Sequence, residues 1–312
     1  MIKKKILASA CMLSMIVHFS SCDWLFSENP GTKGFLNATL ADNAILPSTP
    51  EEIQVRYYDN YSNEEYTEKL GEPDYFPAEG SFLSRIRTGE YRFLAYSTFN
   101  NKVRNSSDIT QIEIYADTVN SEKYGVPVYA NKLRPVHMAS ESGFIFPEDT
   151  TYRTFNLVPM VQKIVINITL RGMSAEHEIE TLEAMLSGVI TGRRIYTNQP
   201  VPEYAGLIFP IFTETDTQYK YTSEAYVFGV SNAVQNLLRI ECVGDTFTQY
   251  SQVDLSSVLE DFTADGIVID VVVEIGENMQ MDNIYISSWQ DIEQDDINSV
   301  SYTHLTLPTK LE

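Results

Sequence analysis

Short runs in which apolar and polar residues alternate, separated by turn-forming residues, recur along most of this 312-residue chain. In the first clear run, Ile53, Val55 and Tyr57 alternate with Gln54 and Arg56. Because successive side chains of a strand point to opposite faces, such a run has one apolar and one polar face. The pattern is typical of many short, closely spaced strands. The sequence therefore predicts an all-β fold of the sandwich type.

Two groups of strands are predicted, one in each half of the chain. In the first half, segments 82–87 and 91–99 flank Gly89, and we expect them to pair as a hairpin because glycine supplies the turn. The other strands of this half are predicted at 53–57, 111–115, 126–129, 144–146 and 152–157. These segments predict a first β-sandwich domain over residues 51–157.

The second half begins with the run Lys163 to Leu170, which is rich in β-branched residues and predicts a strong strand. Asp254 is placed to cap a short helix whose apolar face consists of Leu255, Val258, Leu259 and Phe262. Segment 179–192 is ambiguous, since its first residues are good helix formers. Further strands are predicted at 207–212, 219–228, 237–243, 267–275 and 284–289, which completes a second domain over residues 158–298.

The N-terminus has the parts of a secretory signal. Lysines 3 to 5 precede an apolar stretch, Ile6 to Phe19, that is too short to span a bilayer. Small residues at 20 and 21 then lead into Cys22, and Phe19 to Cys22 resembles a bacterial lipobox. We expect residues 1–21 to be removed and Cys22 to be lipidated, although an ordinary signal peptide with a cysteine near its cut is the alternative. Residues 22–50 are predicted to be a tether with one short strand near 35–40.

The charge of the chain limits its partners. The signal contains three of the 22 basic residues, so 19 basic residues face 43 acidic ones in the mature chain, for a net charge near −24. Such a surface repels phosphate backbones, which argues against a nucleic-acid partner and against direct adhesion to anionic lipid. Of the three cysteines, Cys11 leaves with the signal and Cys22 would be lipidated, so Cys242 has no disulfide partner. We expect Cys242 to be a buried small residue within a strand.

No pattern of catalytic, cofactor-binding or metal-ligating residues is found. The glycine-rich phosphate loop, the nucleophile elbow and the zinc-protease helix are absent from the sequence. His137 and His177 are far apart and are predicted to be surface residues, and the acidic run 291–296 lacks the spacing of a calcium loop. Acidic residues are so numerous that no single pair stands out for glycoside cleavage. We therefore expect a protein that is not an enzyme and that needs no cofactor.

The last residues have a different character. The segment from Val300 to Lys310 resembles translated sequencing-adaptor read-through. Residues 299–312 are accordingly predicted to be a non-native tail that makes no native contacts. The alternative is a genuine terminal strand with Leu305 and Leu307 facing inward.

Several segments, taken in order, resemble the fimbrillin-like outer-membrane lipoproteins of Bacteroidales. They are the hairpin sequence 87–96, the strand 160–168, the sequence 186–188, the short helix with the residues before it (250–254), the apolar strand that follows, and the closing sequence 289–292 with its tryptophan. The resemblance covers roughly residues 50 to 298. It implies two tandem transthyretin-like β-sandwich domains, with one short helix in the second, in a surface-exposed relative of donor-strand pilus subunits and anchors. It also favours a strand over a helix at 179–186.

The resemblance implies a role among other fimbrial subunits. Polymerising pilins of this type lose an N-terminal strand by cleavage after a basic residue, which leaves a groove for a neighbour's strand. Here Arg56, Arg85 and Arg87 lie within predicted strands rather than in a processing loop. We therefore expect an accessory, anchor-like or standalone lipoprotein of the outer membrane rather than a main-shaft subunit, with an accessory or anchor subunit of a fimbria-like assembly as the leading interpretation. A surface glycan-binding lipoprotein, with exposed tyrosines as sugar platforms, is the alternative.

Overall fold

The computed structural model describes residues 32–41, 53–65, 74–76, 81–97, 102–172, 179–210, 212–215, 219–245, 247–259, 266–275, 280–288 and 303–305. Nearly all of these residues lie in strands or in the connections between them, as the alternation predicted. In chain order the strands are β1 (Lys33–Leu40), β2 (Ile53–Asp59), β3 (Asp74–Phe76), β4 (Ser81–Arg87), β5 (Gly89–Ser97), β6 (Lys102–Arg104), β7 (Glu113–Tyr115), β8 (Thr118–Ser121), β9 (Val126–Tyr129), β10 (His137–Ile145), β11 (Thr150–Phe155), β12 (Val158–Pro159), β13 (Gln162–Arg171), β14 (Ile179–Ile190), β15 (Gly192–Arg194), β16 (Tyr204–Ile208), β17 (Thr213–Glu214), β18 (Lys220–Val227), β19 (Leu237–Gly244), β20 (Thr248–Asp254), β21 (Gly266–Glu274), β22 (Gln280–Ser288) and β23 (Thr303–Leu305). Helix α1 (Ser256–Leu259) lies between β20 and β21.

The first sandwich consists of a three-stranded and a five-stranded sheet. Their strand orders are β11-β1-β4 and β12-β10-β5-β2-β3. Alternate residues of the strands face each other between the two sheets, among them Leu36 of β1, Val55 of β2 and Phe93 of β5, all with no exposed surface. The ring of Phe93 meets that of Tyr57 edge to face, with 6.0 Å between the centroids.

The hairpin predicted around Gly89 is wrong. Strands β4 and β5 are consecutive, but β4 pairs with β1 in one sheet and β5 pairs with β10 and β2 in the other. The chain therefore crosses from sheet to sheet at Thr88, whose N–H donates to the carbonyl of Thr32. Ile86 of β4 and Tyr91 of β5 point into the core from opposite sheets. The two strands therefore pack face to face across the core and do not pair as neighbours in one sheet.

The second sandwich is formed by two six-stranded sheets, with orders β17-β18-β13-β21-β22-β23 and β20-β19-β14-β16-β9-β8. Strand β13, predicted from its β-branched residues, runs parallel to the apolar strand β21. Segment 179–190 is a strand, as the resemblance favoured over a helix. The short helix is also confirmed as α1, where the N–H of Ser256 donates to Asp254 Oδ1 at 2.9 Å.

Segment 102–136 does not belong to the first sandwich alone, contrary to the prediction that assigned it there. Strand β7 pairs with β15, and strand β9 pairs with β16, so both join sheets of the second half. Ile109 and Ile112, which have no exposed surface, pack in the same cluster as the core of the second sandwich. Strand β9 extends the sheet of the second sandwich beyond β16, and β7 pairs with β15 of the second half, so these short strands find their partners there.

Segment 102–136 joins the two halves by packing against the five-stranded sheet of the first sandwich. Along β5, Phe93 and Ala95 face the first core, whereas Leu94 and Tyr96 belong to the cluster that contains Ile112. This sheet is therefore buried on both faces. Because an apolar interface links the two cores, we expect the halves to form one packed unit rather than two independent domains on a linker.

Part of the predicted tail is a strand. Residues 303–305 form β23, in which Leu305, His304 and Thr303 pair with Ile284, Tyr285 and Ile286 of β22. This pairing contradicts the prediction that the tail makes no contacts. Its physical basis is the open backbone of β22, because an edge strand can accept almost any extended segment. The rest of segment 299–312 lies outside the described residues.

Candidate functional site: the first strand and the outer face of the second sandwich

Several residues singled out in the sequence lie outside the described ranges. They are the lipid-attachment residue Cys22, both tryptophans (Trp24 and Trp289), His177 and the acidic run 291–296. Within the described part of the chain, no helix is long and apolar enough to cross a membrane. The same part contains no group of three or more His, Cys, Asp or Glu residues arranged to hold a metal ion.

Strand β1 is a central strand of its sheet rather than part of a tether. It pairs in parallel with β11, from Phe35 opposite Thr150 to Leu40 opposite Phe155, and in antiparallel fashion with β4. The backbone N–H of Phe35 donates to Asp149 at 2.8 Å, and that of Ala41 donates to Phe155 at 2.9 Å. The predicted short strand near 35–40 is therefore confirmed. The tether interpretation, however, does not hold for residues 33–40.

The fit of β1 is close at its start. A Cβ added to Gly34 would lie 2.0 Å from the carbonyl oxygen of Phe146, a backbone atom that cannot move away easily. The side chains of Leu36 and Ala38 have no exposed surface. This strand therefore fills a slot in the sheet that only a small residue followed by alternating apolar residues can occupy.

The three arginines considered as processing sites lie in strands, as predicted. Arg56 is in β2, and Arg85 and Arg87 are in β4. The Arg56 side chain is 13% exposed. Its Nε donates to the hydroxyl of Tyr96 at 2.7 Å, and its Nη1 lies 2.7 Å from Glu65 Oε1. A peptide bond at Arg56 is therefore held within a paired strand and a side-chain network.

The outer face of the sheet β20-β19-β14-β16-β9-β8 contains a groove that the sequence did not indicate. Met185 of β14 is 5% exposed, although it points away from the core. It forms the floor together with Val126 and Pro127, and Gly206 of β16 lies close by, where an added Cβ would come within 3.0 Å of Met185 Sδ. The groove has a volume of about 330 Å³. Its walls include Tyr124, Tyr204, Arg239, Gln235 and Gln252.

Arg239 lies between two aromatic rings at this groove. Its guanidinium carbon is 5.5 Å from the ring centroid of Tyr124 and 4.4 Å from that of Tyr250. Its Nη2 lies 3.2 Å from Glu241 Oε2, while its buried Nε has no hydrogen-bond partner within the described residues. The side chain is therefore fixed by stacking and one ion pair, with one donor left unsatisfied.

Beside the groove lies a network of opposite charges. Lys123 Nζ is 2.6 Å from Glu183 Oε1 and 3.0 Å from Glu241 Oε1, and the Tyr124 hydroxyl also donates to Glu183. Burial opposes the charge on Lys123, but the hydrogen bonds to the two carboxylates outweigh it and raise the pKa of the amine. The cations on this face are thus already neutralised by carboxylates of the same chain.

Cys242 is buried, as predicted. It has no exposed surface and no disulfide partner, and burial raises the pKa of its thiol to about 11. The thiolate is therefore nearly absent at neutral pH. We expect Cys242→Ser to lower the free energy of unfolding by about 1–3 kcal/mol, because it buries a hydroxyl in an apolar site. Urea unfolding measures the change in free energy, and membrane fractionation should show that the location is unchanged. A variant as stable as the original chain would contradict the buried environment of Cys242.

His137 is not a surface residue, contrary to the prediction. It is 1% exposed at the start of β10, where its backbone pairs with β12, and its backbone N–H donates to Ser97 Oγ at 3.0 Å. Its Nδ1 has no hydrogen-bond partner among the described residues. Burial disfavours the charged ring and lowers the pKa of His137 below 6.5.

This burial predicts a loss of stability in mild acid. The unfolded chain takes up a proton at His137 as the pH falls through about 6.5, whereas the folded chain resists it until a lower pH. The contribution of neutral His137 to the free energy of unfolding is therefore complete above the pKa of the unfolded chain. It is lost as the pH falls from that value to the lower pKa of the folded chain. Urea unfolding at pH 7.5 and 5.5 should show that His137→Gln weakens the pH dependence of the free energy of unfolding. An unchanged pH dependence in His137→Gln would contradict the assignment.

The exposed tyrosines do not form one flat platform. Tyr61, Tyr152 and Tyr250 are 84%, 69% and 61% exposed. Tyr152 lies on β11 and Tyr250 on β20, in different sandwiches. Many other aromatic side chains are buried, including Tyr58, Tyr96 and Phe228. The arrangement favours a structural use of most aromatic residues over a sugar platform of stacked tyrosines.

Comparison with known proteins gives a fold but no sequence family. No family model and no curated protein match the sequence. Among solved structures, a candidate adhesin from Bacteroides ovatus has a TM-score of 0.56 at 14% identity, over 74% of this chain and 86% of that one. A fimbrial anchor protein from Porphyromonas gingivalis has a TM-score of 0.51 at 11% identity, over 82% of this chain and 97% of that one.

A third structure, of candidate polysaccharide-binding proteins from Bacteroides thetaiotaomicron, has a TM-score of 0.54 at 9% identity, over 82% of this chain and 96% of that one. The chain has the fold of these adhesin-like and fimbrial proteins. The resemblance to fimbrillin-like proteins is thus confirmed at the level of the fold. The all-β architecture is confirmed as well, with one short helix among the described residues.

Proposed function

We propose that this chain is a lipid-anchored, non-enzymatic subunit of a fimbria-like surface assembly, in an accessory or anchoring position. Its fold is shared with a fimbrial anchor protein and with candidate adhesins. The observation that carries the proposal is β1, which fills the centre of the first sheet with the chain's own N-terminal strand. A subunit whose groove is already filled is suited to a fixed position rather than to repeated donor-strand exchange.

The sequence around β1 supports retention of the strand. No lysine or arginine occurs between Lys33 and Arg56, so a protease specific for basic residues has no site in the connection from β1 to β2. Arg56 itself is paired within β2 and is largely covered. Cleavage after a basic residue, the step that frees the groove of a polymerising pilin, is therefore disfavoured here.

The distance from the proposed anchor to β1 is short. Lys33 follows Cys22 by 11 residues. A fully extended chain of this length spans about 40 Å at most. Two or three acyl chains, at about 0.8 kcal/mol per buried methylene, hold such a protein on a membrane essentially permanently. The first sandwich would then stay near the outer-membrane surface, which suits an anchoring position.

Affinity purification from detergent-extracted outer membranes tests the proposal. We expect the tagged chain to recover fimbrial subunits, whereas an unrelated lipoprotein with the same tag and anchor should not. Recovery of no subunit above that control would contradict the assembly role. A hydrolase activity that disappears when one acidic pair is changed to amides would contradict the non-enzymatic role.

A further inference from the structure

The groove on the outer face of the second sandwich has the composition of a ligand site. Its floor is apolar, from Met185, Val126 and Pro127, and its rim has the flexible amides of Gln235 and Gln252. With a volume of about 330 Å³, it falls within the ordinary range of small-molecule sites, which runs from about 300 to 1,000 Å³. An apolar floor with a few polar groups at the rim is the usual pattern of such sites.

We propose that this groove binds a neutral saccharide. A pyranose ring has apolar C–H faces and a rim of hydroxyl groups, so it needs an apolar or aromatic surface beside donors and acceptors. The floor and the ring of Tyr204 supply the apolar surface. Gln252, which is exposed on the strand beside Arg239, supplies both a donor and an acceptor.

Tyr250 extends the site beyond the groove itself. One face of its ring packs on the Arg239 guanidinium, with 4.4 Å between the guanidinium carbon and the ring centroid. The side chain is nevertheless 61% exposed, so much of the ring remains open to solvent. A rigid, exposed aromatic ring at the rim of an apolar groove is suited to stack on a second sugar unit. The site would then recognise a short stretch of a chain rather than a single monosaccharide.

The charges select against acidic saccharides. Arg239 is paired with Glu241, and Lys123 is paired with Glu183 and Glu241, so these cations are already neutralised. The mature chain has a net charge near −24, from 19 basic and 43 acidic residues, which repels polyanions. A saccharide without carboxylate or sulfate groups meets no such repulsion. The ligand is therefore inferred to be neutral.

The inference rests on the proposed surface location, since a glycan site is of use only where glycans are present. It is tested on the full chain in detergent micelles by isothermal titration with neutral oligosaccharides prepared from mannan, β-glucan and starch. Polygalacturonate oligosaccharides serve as the acidic probe. Tyr250→Ala and Gln252→Ala alter the rim without removing a buried side chain. Tyr152→Ala is the matched control, because it removes another exposed strand tyrosine from the other sandwich.

We expect at least one neutral probe to bind, and each rim variant to weaken its affinity about tenfold, as for truncation of an anchoring residue. Tyr152→Ala should bind as the original chain does. Absence of binding by every neutral probe, preference for polygalacturonate, or equal loss in Tyr152→Ala would overturn the proposal. Rim variants that lose fimbrial subunits in the affinity purification, with no saccharide bound, would show a protein-docking face instead. If the affinity purification recovers no fimbrial subunit but the chain still binds a neutral saccharide, only the proposed assembly role is overturned.

Discussion

Cys22→Ala is expected to abolish lipidation and to keep the protein out of the outer membrane. The lipoprotein peptidase cuts before a lipidated cysteine, so the variant should persist as a precursor that retains residues 1–21. Each lost acyl methylene removes about 0.8 kcal/mol of membrane affinity, so no acyl anchoring in the outer membrane should remain. Labelling with radioactive palmitate, followed by membrane fractionation and mass measurement, checks the label, the location and the length of the chain.

Cys242→Ser is the matched control for this experiment. It removes the buried thiol of β19 and leaves Cys22 intact, so it should be labelled, processed and located as the original chain is. If Cys22→Ala were processed normally and retained in the outer membrane to the same extent, Cys22 would not be the attachment point. Loss of label in Cys242→Ser alone would also contradict the assignment.

The second large effect is expected at the first strand. Leu36→Ala removes a side chain with no exposed surface from the centre of the first core. It should lower the free energy of unfolding by about 2–5 kcal/mol, as large-to-small core substitutions do. Leu83→Ala on the neighbouring strand β4 is the control, because Leu83 is 63% exposed. It should change the free energy of unfolding by no more than about 0.5 kcal/mol.

Equilibrium unfolding in urea, followed by circular dichroism, measures both variants. Because the two substitutions remove the same atoms, the difference between them reports the burial of β1 and not the chemistry of leucine. Equal stability of the two variants would mean that segment 33–40 is a tether after all. It would also remove the main support for an anchoring position.

The strands that the sequence predicted well are those with strong local patterns. The β-branched residues of β13 and the continuous apolar run of β21 predicted these two strands. Such patterns arise because both strands are buried in the second core. Helix α1 follows from a local signal, the cap that Asp254 provides for Ser256. Alternation and capping depend only on neighbours in sequence, so a single sequence is enough to show them.

The pairing of strands could not be predicted in the same way. Gly89 is compatible with a hairpin turn, but it equally permits the crossing between sheets that occurs between β4 and β5. Likewise, β9 resembles any other short strand, and only the free edge of β16 explains why it joins the second sandwich. Both features are set by contacts between residues far apart in sequence.

The candidate binding groove was missed for a related reason. Its central residue, Arg239, lies on β19. The two rings that flank it come from Tyr124, just before β9, and from Tyr250 on β20. These residues meet only because the sheet brings the three segments together. The alternation of β19 does indicate that Arg239 and Glu241 share the outward face. Nothing local indicates that the two rings flank the arginine. The burial of His137 was missed likewise, because the strand that pairs with it begins 21 residues later.

The central claim is that the anchored protein keeps its first strand, and the N-terminus of the native protein tests it directly. Mass spectrometry of the chain isolated from outer membranes should find a lipidated Cys22 that is continuous with residues 33–40. The peptide bond after Arg56 should also survive treatment of intact cells with a protease specific for arginine, because Arg56 is largely covered. A native N-terminus beyond Leu40, such as one created by cleavage at Arg56, would contradict the account.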